Sequence, residues 1–175
     1  MILNFKEIFV QKSYFSVGLL GKNLKLNIDY SNVNNIDVNK LENEINIILP
    51  MHYKHSDNMN IINLCIQKLY NEVAIYELEY AMEFARHIFG FAPEDFKIKR
   101  LANEYYKYAN KTLTINPDIV QFSEEIIFTT IIKAFCKIKY RNGSKKYLDS
   151  LETGLKEYEK YKNKNSRKEL WTKVS

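Results

Sequence analysis

The sequence predicts an α+β fold with an N-terminal β-meander, a long central helix, a short sheet and two C-terminal helices. Three patterns lead to this prediction. Residues 24–30 alternate apolar and polar side chains, as a half-buried strand does. Residues 59–89 carry apolar side chains at helical spacing, and a second apolar helical stretch at 124–140 is followed by a third helical pattern. The change of period from two to 3.6 along the chain separates the strands from the helices.

The first 30 residues are predicted to be β structure. The runs FKEIFV and YFSVGLL are rich in strand-forming residues, and Gly21-Lys22-Asn23 supplies a turn. The run LKLNIDY then places Leu24, Leu26 and Ile28 on one face of a strand. The N-terminal part therefore predicts a sheet built from short strands.

A helix is predicted between residues 38 and 49. Asp37 precedes VNKLENEINIIL as an N-cap, and Pro50 follows it as a stop signal. Leu41, Ile45 and Ile48 are spaced to lie on one helical face.

The central segment 59–89 is predicted to be helical nearly throughout, with Gly90 as its C-terminal stop and Pro93 just beyond. The predicted buried stripe consists of Ile62, Cys65, Ile66, Leu69, Val73, Tyr76, Leu78, Ala81, Phe84 and Ile88. Strands are predicted at 95–101 and 111–116, followed by a Pro-Asp turn.

Two helices are predicted to close the chain. In the first, 124–140, Ile127, Ile131, Phe135 and Ile138 are expected to be buried. Lys133 and Lys137 are expected to lie near solvent or at a shallow cleft. Asn142-Gly143 ends this helix, and Ser144 is positioned to cap the next. The apolar stripe predicted for the last helix is Tyr147, Leu148, Leu151, Leu155 and Tyr158.

Length and composition predict a single domain, residues 1–175, with a β-rich part at 1–58, a core at 59–162 and a basic tail at 163–175. The sequence contains no uncharged run of 18 residues that would span a bilayer. Charges interrupt the apolar N-terminus, so we expect no signal peptide and a cytoplasmic location. Cys65 and Cys136 lie in apolar helical contexts and are expected to be buried free thiols.

The segment from Leu113 to Tyr161 has the order of a known type of zinc hydrolase. The run LTINPDIVQF is a strand closing on an Asn, SEEIIFTTIIKAFCKIKYRNGS is an apolar helix with its loop, and KKYLDSLETGLKEYEKY is a helix ending in Tyr. This order resembles the small YgjP-like metallopeptidases, which are relatives of the SprT-like proteins. There the apolar helix carries H-E-x-x-H and the loop carries a third His followed by Ser.

The resemblance covers residues 60–162 and implies a metallopeptidase-like, minigluzincin-type core. In register, the two helical His positions fall on Lys133 and Lys137, the Glu position falls on Ala134, and the loop His-Ser falls on Gly143-Ser144. A protonated Lys does not bind zinc and Ala accepts no proton, so the resemblance implies a pseudoenzyme. We therefore expect no catalytic residue, no metal site and no cofactor.

Upstream of this segment, the resemblance weakens. Tyr105-Tyr106-Lys107-Tyr108 stand where the family has a W-G-S-C-type turn, so an aromatic remains and the small residues do not. His52-Tyr53-Lys54-His55 offers two histidines beside Pro50, but no third ligand is nearby in the sequence, and a surface turn is expected.

Charge is unevenly distributed along the chain. Residues 133–175 contain 13 Lys/Arg against 5 Asp/Glu, a net charge of +8, whereas residues 1–132 have a net charge of −3. A basic region of this kind attracts nucleic acid, an anionic membrane or an acidic protein, or is simply a solvated helix face with a frayed tail. Interleaved basic and aromatic residues suggest contacts to phosphates and bases. The candidate nucleic-acid-binding residues are Lys97, Lys99, Arg100, Tyr105, Tyr106, Lys107, Lys145 and Lys146.

These observations predict a non-catalytic binding protein on a degenerate metallopeptidase-like scaffold. The first interpretation is a protein-binding or inhibitory accessory factor, of a kind common among the small proteins of mobile elements. Two alternatives stay open: a nucleic-acid-binding protein that uses the basic C-terminal third, and a hydrolase with a site that the motifs do not reveal. Fold alone does not choose among them.

Overall fold

A computed structural model describes the backbone of residues 16–172 and the side chains of residues 16–164. It confirms the α+β architecture, with an N-terminal sheet of four strands, a long helix, a small three-stranded sheet and two C-terminal helices. The strands of the first sheet are β1 (Ser16–Leu19), β2 (Lys22–Ser31), β3 (Asp37–Lys40) and β4 (Glu44–Pro50). The predicted strand FKEIFV, residues 5–10, lies outside the described residues.

The first sheet is not a simple meander. Its strand order is β1-β2-β4-β3, and β2 pairs with β4 in parallel while the outer pairs are antiparallel. Leu20 and Gly21 form the β1–β2 turn, both with positive φ. The N–H of Leu20 donates to the carbonyl of Val120 at 2.7 Å, which ties this turn to the C-terminal half of the chain.

The predicted helix at 38–49 is wrong, because β3 and β4 occupy this segment. The physical reason is visible in β4, where Ile45, Ile47 and Leu49 alternate with less buried neighbours and are fully buried. This is the period of a strand, and β-branched isoleucine favours it. Leu41, expected on the helical face, lies in the β3–β4 turn and is exposed.

The long central helix, α1 (Met59–Phe89), is continuous, and Gly90 ends it with a left-handed φ of 69°, as predicted. Ile62, Cys65, Ile66 and Leu69 are buried, as expected for its first half. In the second half the buried positions are Ala74, Leu78, Ala81 and Ala85, so small residues allow close packing of α1 against its neighbours. Tyr76, predicted to be buried, is 75% exposed.

The second sheet consists of β5 (Asp95–Ile98), β6 (Tyr106–Ala109) and β7 (Thr112–Ile115), in the order β5-β7-β6. The strands predicted at 95–101 and 111–116 are confirmed, with the first shorter than expected. Strand β6 was not predicted as a separate element. It pairs with β7 through a tight turn at Asn110-Lys111, two non-glycine residues with positive φ.

The chain closes with α2 (Glu124–Lys139) and α3 (Lys145–Thr172), as predicted. Ile127, Ile131 and Phe135 are fully buried, Ile138 is half-buried, and Lys133 and Lys137 are exposed. The Ser144 hydroxyl accepts a hydrogen bond from the Tyr147 N–H at 3.2 Å, which confirms the predicted cap.

Two details of α3 differ from the prediction. Leu148, predicted to be buried, is 55% exposed. Gly154, which was not predicted to be buried, lies on the packed face of the helix with Tyr147 and Tyr158. Helix α3 runs to Thr172, so it includes residues 163–172 of the segment predicted as a basic tail.

One hydrophobic core joins both sheets to the three helices. None of the helices in the described part of the chain has the length and apolar content needed to cross a bilayer.

Candidate functional site

Two of the predicted nucleic-acid-binding lysines lie on the outer face of the small sheet. Lys97 and Lys107 both pair with Thr114 across the sheet, so their side chains point to the same face, about 10 Å apart. Lys99 follows β5 on the same side and is exposed, like the other two. The structure therefore brings three of the predicted lysines to one surface.

Two of the predicted nucleic-acid-binding residues, Lys97 and Arg100, form ion pairs within the protein. Lys97 Nζ lies 3.1 Å from the Asp95 carboxylate, and this contact lowers the pKa of Asp95. Arg100 lies 3.0 Å from the Asp118 carboxylate and also donates to the carbonyl of Gln67 at 3.3 Å. Arg100 is half-buried, so its main contacts are structural.

The two predicted stacking tyrosines are half-buried and have ring contacts of their own. The Tyr105 ring packs edge-on against Phe122 with centroids 5.4 Å apart, and the Lys137 ammonium lies over the Tyr106 ring. Burial raises the pKa of both phenols, and the charge of Asp118 adds to the effect at Tyr105. Stacking of a base on either ring would require these contacts to change.

Lys145 and Lys146 lie in the first turn of α3 and are part of a larger surface, here called the basic corner. It comprises the exposed residues Lys133, Lys137, Lys139, Arg141, Lys145 and Lys146. No Asp or Glu occurs from residue 126 to 148, and none of the six forms an ion pair with a side chain in the described part of the protein. Within the described residues, these six cations at the end of α2, in the loop that follows and at the start of α3 are not neutralised by a carboxylate.

The positions that align with H-E-x-x-H do not form a polar cleft. Lys133 and Lys137 are exposed one turn apart, whereas Ala134 between them is fully buried. Gly143 has a φ of 76° and forms the turn before the Ser144 cap. The geometry of these residues is that of a helix end and a helix start.

The Asn that closes β7 has a structural role. Asn116 is buried, and its side-chain amide donates to the carbonyls of Leu101 and Glu104 at 3.1 and 3.4 Å. Its side-chain oxygen accepts from the N–H of Asp118 at 3.0 Å, which caps a short 3-10 turn. Asn116 therefore fixes the loop between β5 and β6 to the end of β7.

In the described residues, no group of three or more His, Cys, Asp or Glu side chains is arranged to hold a metal ion. His52 and His55 lie in the exposed turn after β4, as predicted. Cys65 and Cys136 are free and buried, and burial raises the pKa of both thiols. A raised pKa keeps the thiols neutral and weakly nucleophilic near pH 7.

A groove lies between α1 and β5 in the described residues and is here called the α1–β5 groove. Its volume is about 740 Å³. The α1 wall is made by Ile75, Tyr76, Glu79, Tyr80, Met82, Glu83 and Arg86. The other wall and the floor are made by Ala92, Phe96, Ile98 and Phe135.

Apolar side chains at the mouth of this groove are open to solvent. Ile75 and Tyr80 are each 52% exposed, and Tyr76 is the most exposed of the three. Contiguous exposed apolar surface with a polar rim is typical of interaction sites. The groove is therefore an open, partly apolar surface rather than an enclosed cavity.

The rim of the groove carries a small negative charge. Arg86 donates from Nε to Glu83 at 2.7 Å and forms a second bond with the same carboxylate, so these two charges neutralise each other. Their pairing lowers the pKa of Glu83. Glu79 is exposed and has no ion pair with a described side chain, which leaves one net negative charge at the groove.

Sequence reasoning did not find this groove. It assigned Tyr76 to the buried stripe of the central helix. The signal was an excess of apolar residues, because Ile75, Tyr76 and Tyr80 add apolar area outside the buried stripe. A helix with more apolar surface than one stripe has a second contact to make.

Comparisons with protein-family models, with curated proteins and with solved structures found no match. The description of this protein therefore rests on its own fold and surface features. The protein is an α+β protein with an open apolar groove between its central helix and its small sheet, and with a separate basic corner.

Proposed function

We propose that this protein is a non-catalytic binding protein that holds a segment of a partner protein in the α1–β5 groove. The single observation that carries the proposal is the solvent-open apolar mouth formed by Ile75, Tyr76 and Tyr80 over a groove of about 740 Å³. Covering this surface with a partner would remove apolar area from water, which favours association.

The scaffold under this proposal is a degenerate metallopeptidase-like core. Lys133, Ala134 and Lys137 occupy the H-E-x-x-H positions, so the scaffold would serve binding and not hydrolysis. Inhibition of a partner would follow from occupying the partner's own working surface. A cytoplasmic location is part of the proposal and is supported by the two free, buried thiols.

The test uses peptides selected from a displayed random library on the immobilised protein. We expect selected peptides to bind with dissociation constants of about 10 μM or below, corresponding to roughly −7 kcal/mol. Ile75→Asp should weaken the binding of these peptides at least tenfold, because it places a charge at the apolar mouth of the groove.

The matched control is Leu64→Asp, which also changes an exposed apolar residue of α1, 63% exposed, outside the groove. It should leave the affinity within about threefold, since a surface change away from the contact has little effect. Failure to select any peptide, or equal losses in the two variants, would reject the groove as the binding site.

A second candidate function, nucleic-acid binding, is favoured by the basic corner. Its six exposed cations lack acidic partners among the described residues, and such a surface neutralises phosphates with release of counterions. Helix α3 begins within this corner, and its partial positive charge adds to that of Lys145 and Lys146.

A further inference from the structure

We infer that the α1–β5 groove takes its occupant as an added β-strand, paired with the open edge of β5. This inference rests on the proposed function and goes further, because it specifies the conformation and chemistry of the bound segment. An extended peptide that joins a sheet edge gains main-chain hydrogen bonds as affinity and side-chain pockets as specificity.

Among the described strands, β5 lies at the edge of its sheet, and its hydrogen bonds to β7 show which backbone groups face outward. The N–H groups of Asp95 and Lys99 donate to the carbonyls of Lys111 and Ile115, at 3.4 and 2.9 Å. Backbone N–H and C=O groups along a strand alternate between its two edges. The N–H and C=O groups of Phe96 and Ile98 therefore point away from β7.

Only one of the backbone groups of β5 that point away from β7 forms a hydrogen bond with a described residue. The Phe96 N–H donates to the carboxylate of its neighbour Asp95 at 2.9 Å. The N–H and C=O of Ile98 and the C=O of Phe96 have no partner in the described part of the protein. An edge strand with groups of this kind is a template for another strand.

The two residues whose backbone groups face this edge also line the groove. Phe96 and Ile98 line one wall and α1 forms the other. Arg100 binds the carbonyl of Gln67 and so ties the end of β5 to α1, while the short connection after Gly90 joins them at the opposite end. A strand added along β5 would place every second side chain between these walls, over Met82 and Phe135.

The groove's chemistry defines the occupant as an extended segment of a partner protein with apolar side chains at alternate positions and a flanking Lys or Arg. The apolar walls select the alternate positions. Glu79 supplies the net negative charge at the rim, since Glu83 is neutralised by Arg86. A helical occupant would satisfy its own backbone groups and leave those of Ile98 unused.

The experiment uses a defined fluorescent probe, an eight-residue peptide of alternating isoleucine and threonine with a lysine at each end. Two isomers are compared, each N-methylated at every second amide, one on each edge of the extended peptide. Methylation of the edge that faces β5 should weaken binding at least tenfold, and methylation of the other edge should change it less than threefold. Equal binding of the two isomers would overturn the inference.

Amide hydrogen exchange supplies a second measurement on the unmodified protein. The Ile98 amide should exchange rapidly in the free protein and at least tenfold more slowly with the probe, whereas the Lys99 amide, bonded to Ile115, should change little. An Ile98 amide that is already protected in the free protein would show that this chain itself occupies the edge, which overturns the inference.

The outcomes separate this inference from the proposed function. If library-selected peptides require Ile75 but the probe does not bind, or binds without an edge preference, the groove takes a different conformation and only the inference fails. If no library peptide binds, the proposed function fails first. Dimerisation that is lost in Ile98→Pro would identify a second copy of this chain as the occupant and would also overturn the inference.

Discussion

The ammonium group of Lys137 lies over the ring of Tyr106, with Nζ 5.1 Å from the ring centroid. This contact joins α2 to β6, the strand that the sequence did not predict. Contacts of this type contribute about 0.5–1 kcal/mol at exposed sites. Lys137 therefore contacts the small sheet from the position where the proposed resemblance would require a zinc-binding histidine.

Nucleic-acid binding at the basic corner is tested by reversing charge at Lys145 and Lys146. If the corner binds nucleic acid, Lys145→Glu with Lys146→Glu should reduce affinity and flatten its dependence on salt, because fewer counterions are released. Gel-shift titrations with single- and double-stranded ligands at several salt concentrations measure both effects.

The matched control reverses two paired lysines on the outer face of α3, Lys156→Glu with Lys160→Glu. The control should change affinity less than the corner variant. Absence of any shift at low salt would remove this candidate function.

Tyr106 should be less important for binding than its sequence pattern suggests. Its ring is half-buried and faces Lys137, so a base would have to displace that contact. Tyr106→Leu keeps an apolar side chain in this packing position. It should weaken the binding of single-stranded ligands by less than threefold in the same gel-shift assay. A loss above tenfold, selective for single strands, would instead show that the ring is free to stack.

Ile131→Ala should lower the free energy of unfolding by about 2–5 kcal/mol, because Ile131 is fully buried in α2 and its truncation leaves a cavity. Ile126→Ala is the matched control on the same helix, where the side chain is 44% exposed, and should cost less than about 1 kcal/mol. Denaturant titrations of both variants measure the difference. Similar losses in the two would mean that the buried face of α2 is misassigned.

Gly154→Ala should destabilise the protein even though alanine is the better helix former. A Cβ at Gly154 would lie 2.7 Å from Cγ2 of Ile132 and 2.9 Å from Cζ of Phe89, closer than packed carbon atoms approach. Overpacking of this kind costs roughly 1–3 kcal/mol, against a gain of about 1 kcal/mol in helix propensity. The expected net loss is measured by thermal unfolding, with the exposed Thr153→Ala as control. A higher melting temperature for Gly154→Ala would contradict this close packing of α3.

Stability should decline at alkaline pH as Tyr70 ionises. Burial, followed by the charge of Asp118, raises the pKa of Tyr70 to about 12, and its hydroxyl donates to the carbonyl of Gly18 at 2.7 Å. Because the folded-state pKa lies above the unfolded value of 10.0, this contribution is complete below pH 10 and is lost as the pH rises toward 12.

Tyr70→Phe should lower stability near neutral pH by about 1 kcal/mol, through loss of the hydrogen bond. It should also reduce the alkaline decline in urea titrations between pH 9 and 11. Part of the decline should remain, because burial also raises the pKa of Tyr158 to about 12. An unchanged pH dependence in Tyr70→Phe would show that the phenol is solvated in the folded protein.

Purified protein should carry no stoichiometric zinc, since Lys133, Ala134, Lys137 and Gly143 stand where the proposed metallopeptidase resemblance would require metal-binding and catalytic residues. Elemental analysis of protein prepared without chelator measures this. About one zinc per chain, lost in His52→Ala or His55→Ala, would contradict the prediction and point to the turn after β4.

The sequence alone determined the elements whose patterns are long or have clear end signals. Helix α1 with its Gly90 stop, helix α2 with its buried face at Ile127 and Ile131, and the Ser144 cap of α3 were all predicted correctly. Their signals are local, because helical periodicity and capping depend on residues only a few positions apart.

Features that depend on contacts between residues far apart in the sequence were decided only by the tertiary structure. Residues 44–50 form a strand because β2 and β3 lie on either side of them, although the same residues fit a helical pattern. Tyr76 is exposed because Ala74 and Leu78 make the close contacts of α1 instead. The α1–β5 groove exists because two elements separated in the sequence meet without filling the space between them, a relation that no local pattern encodes.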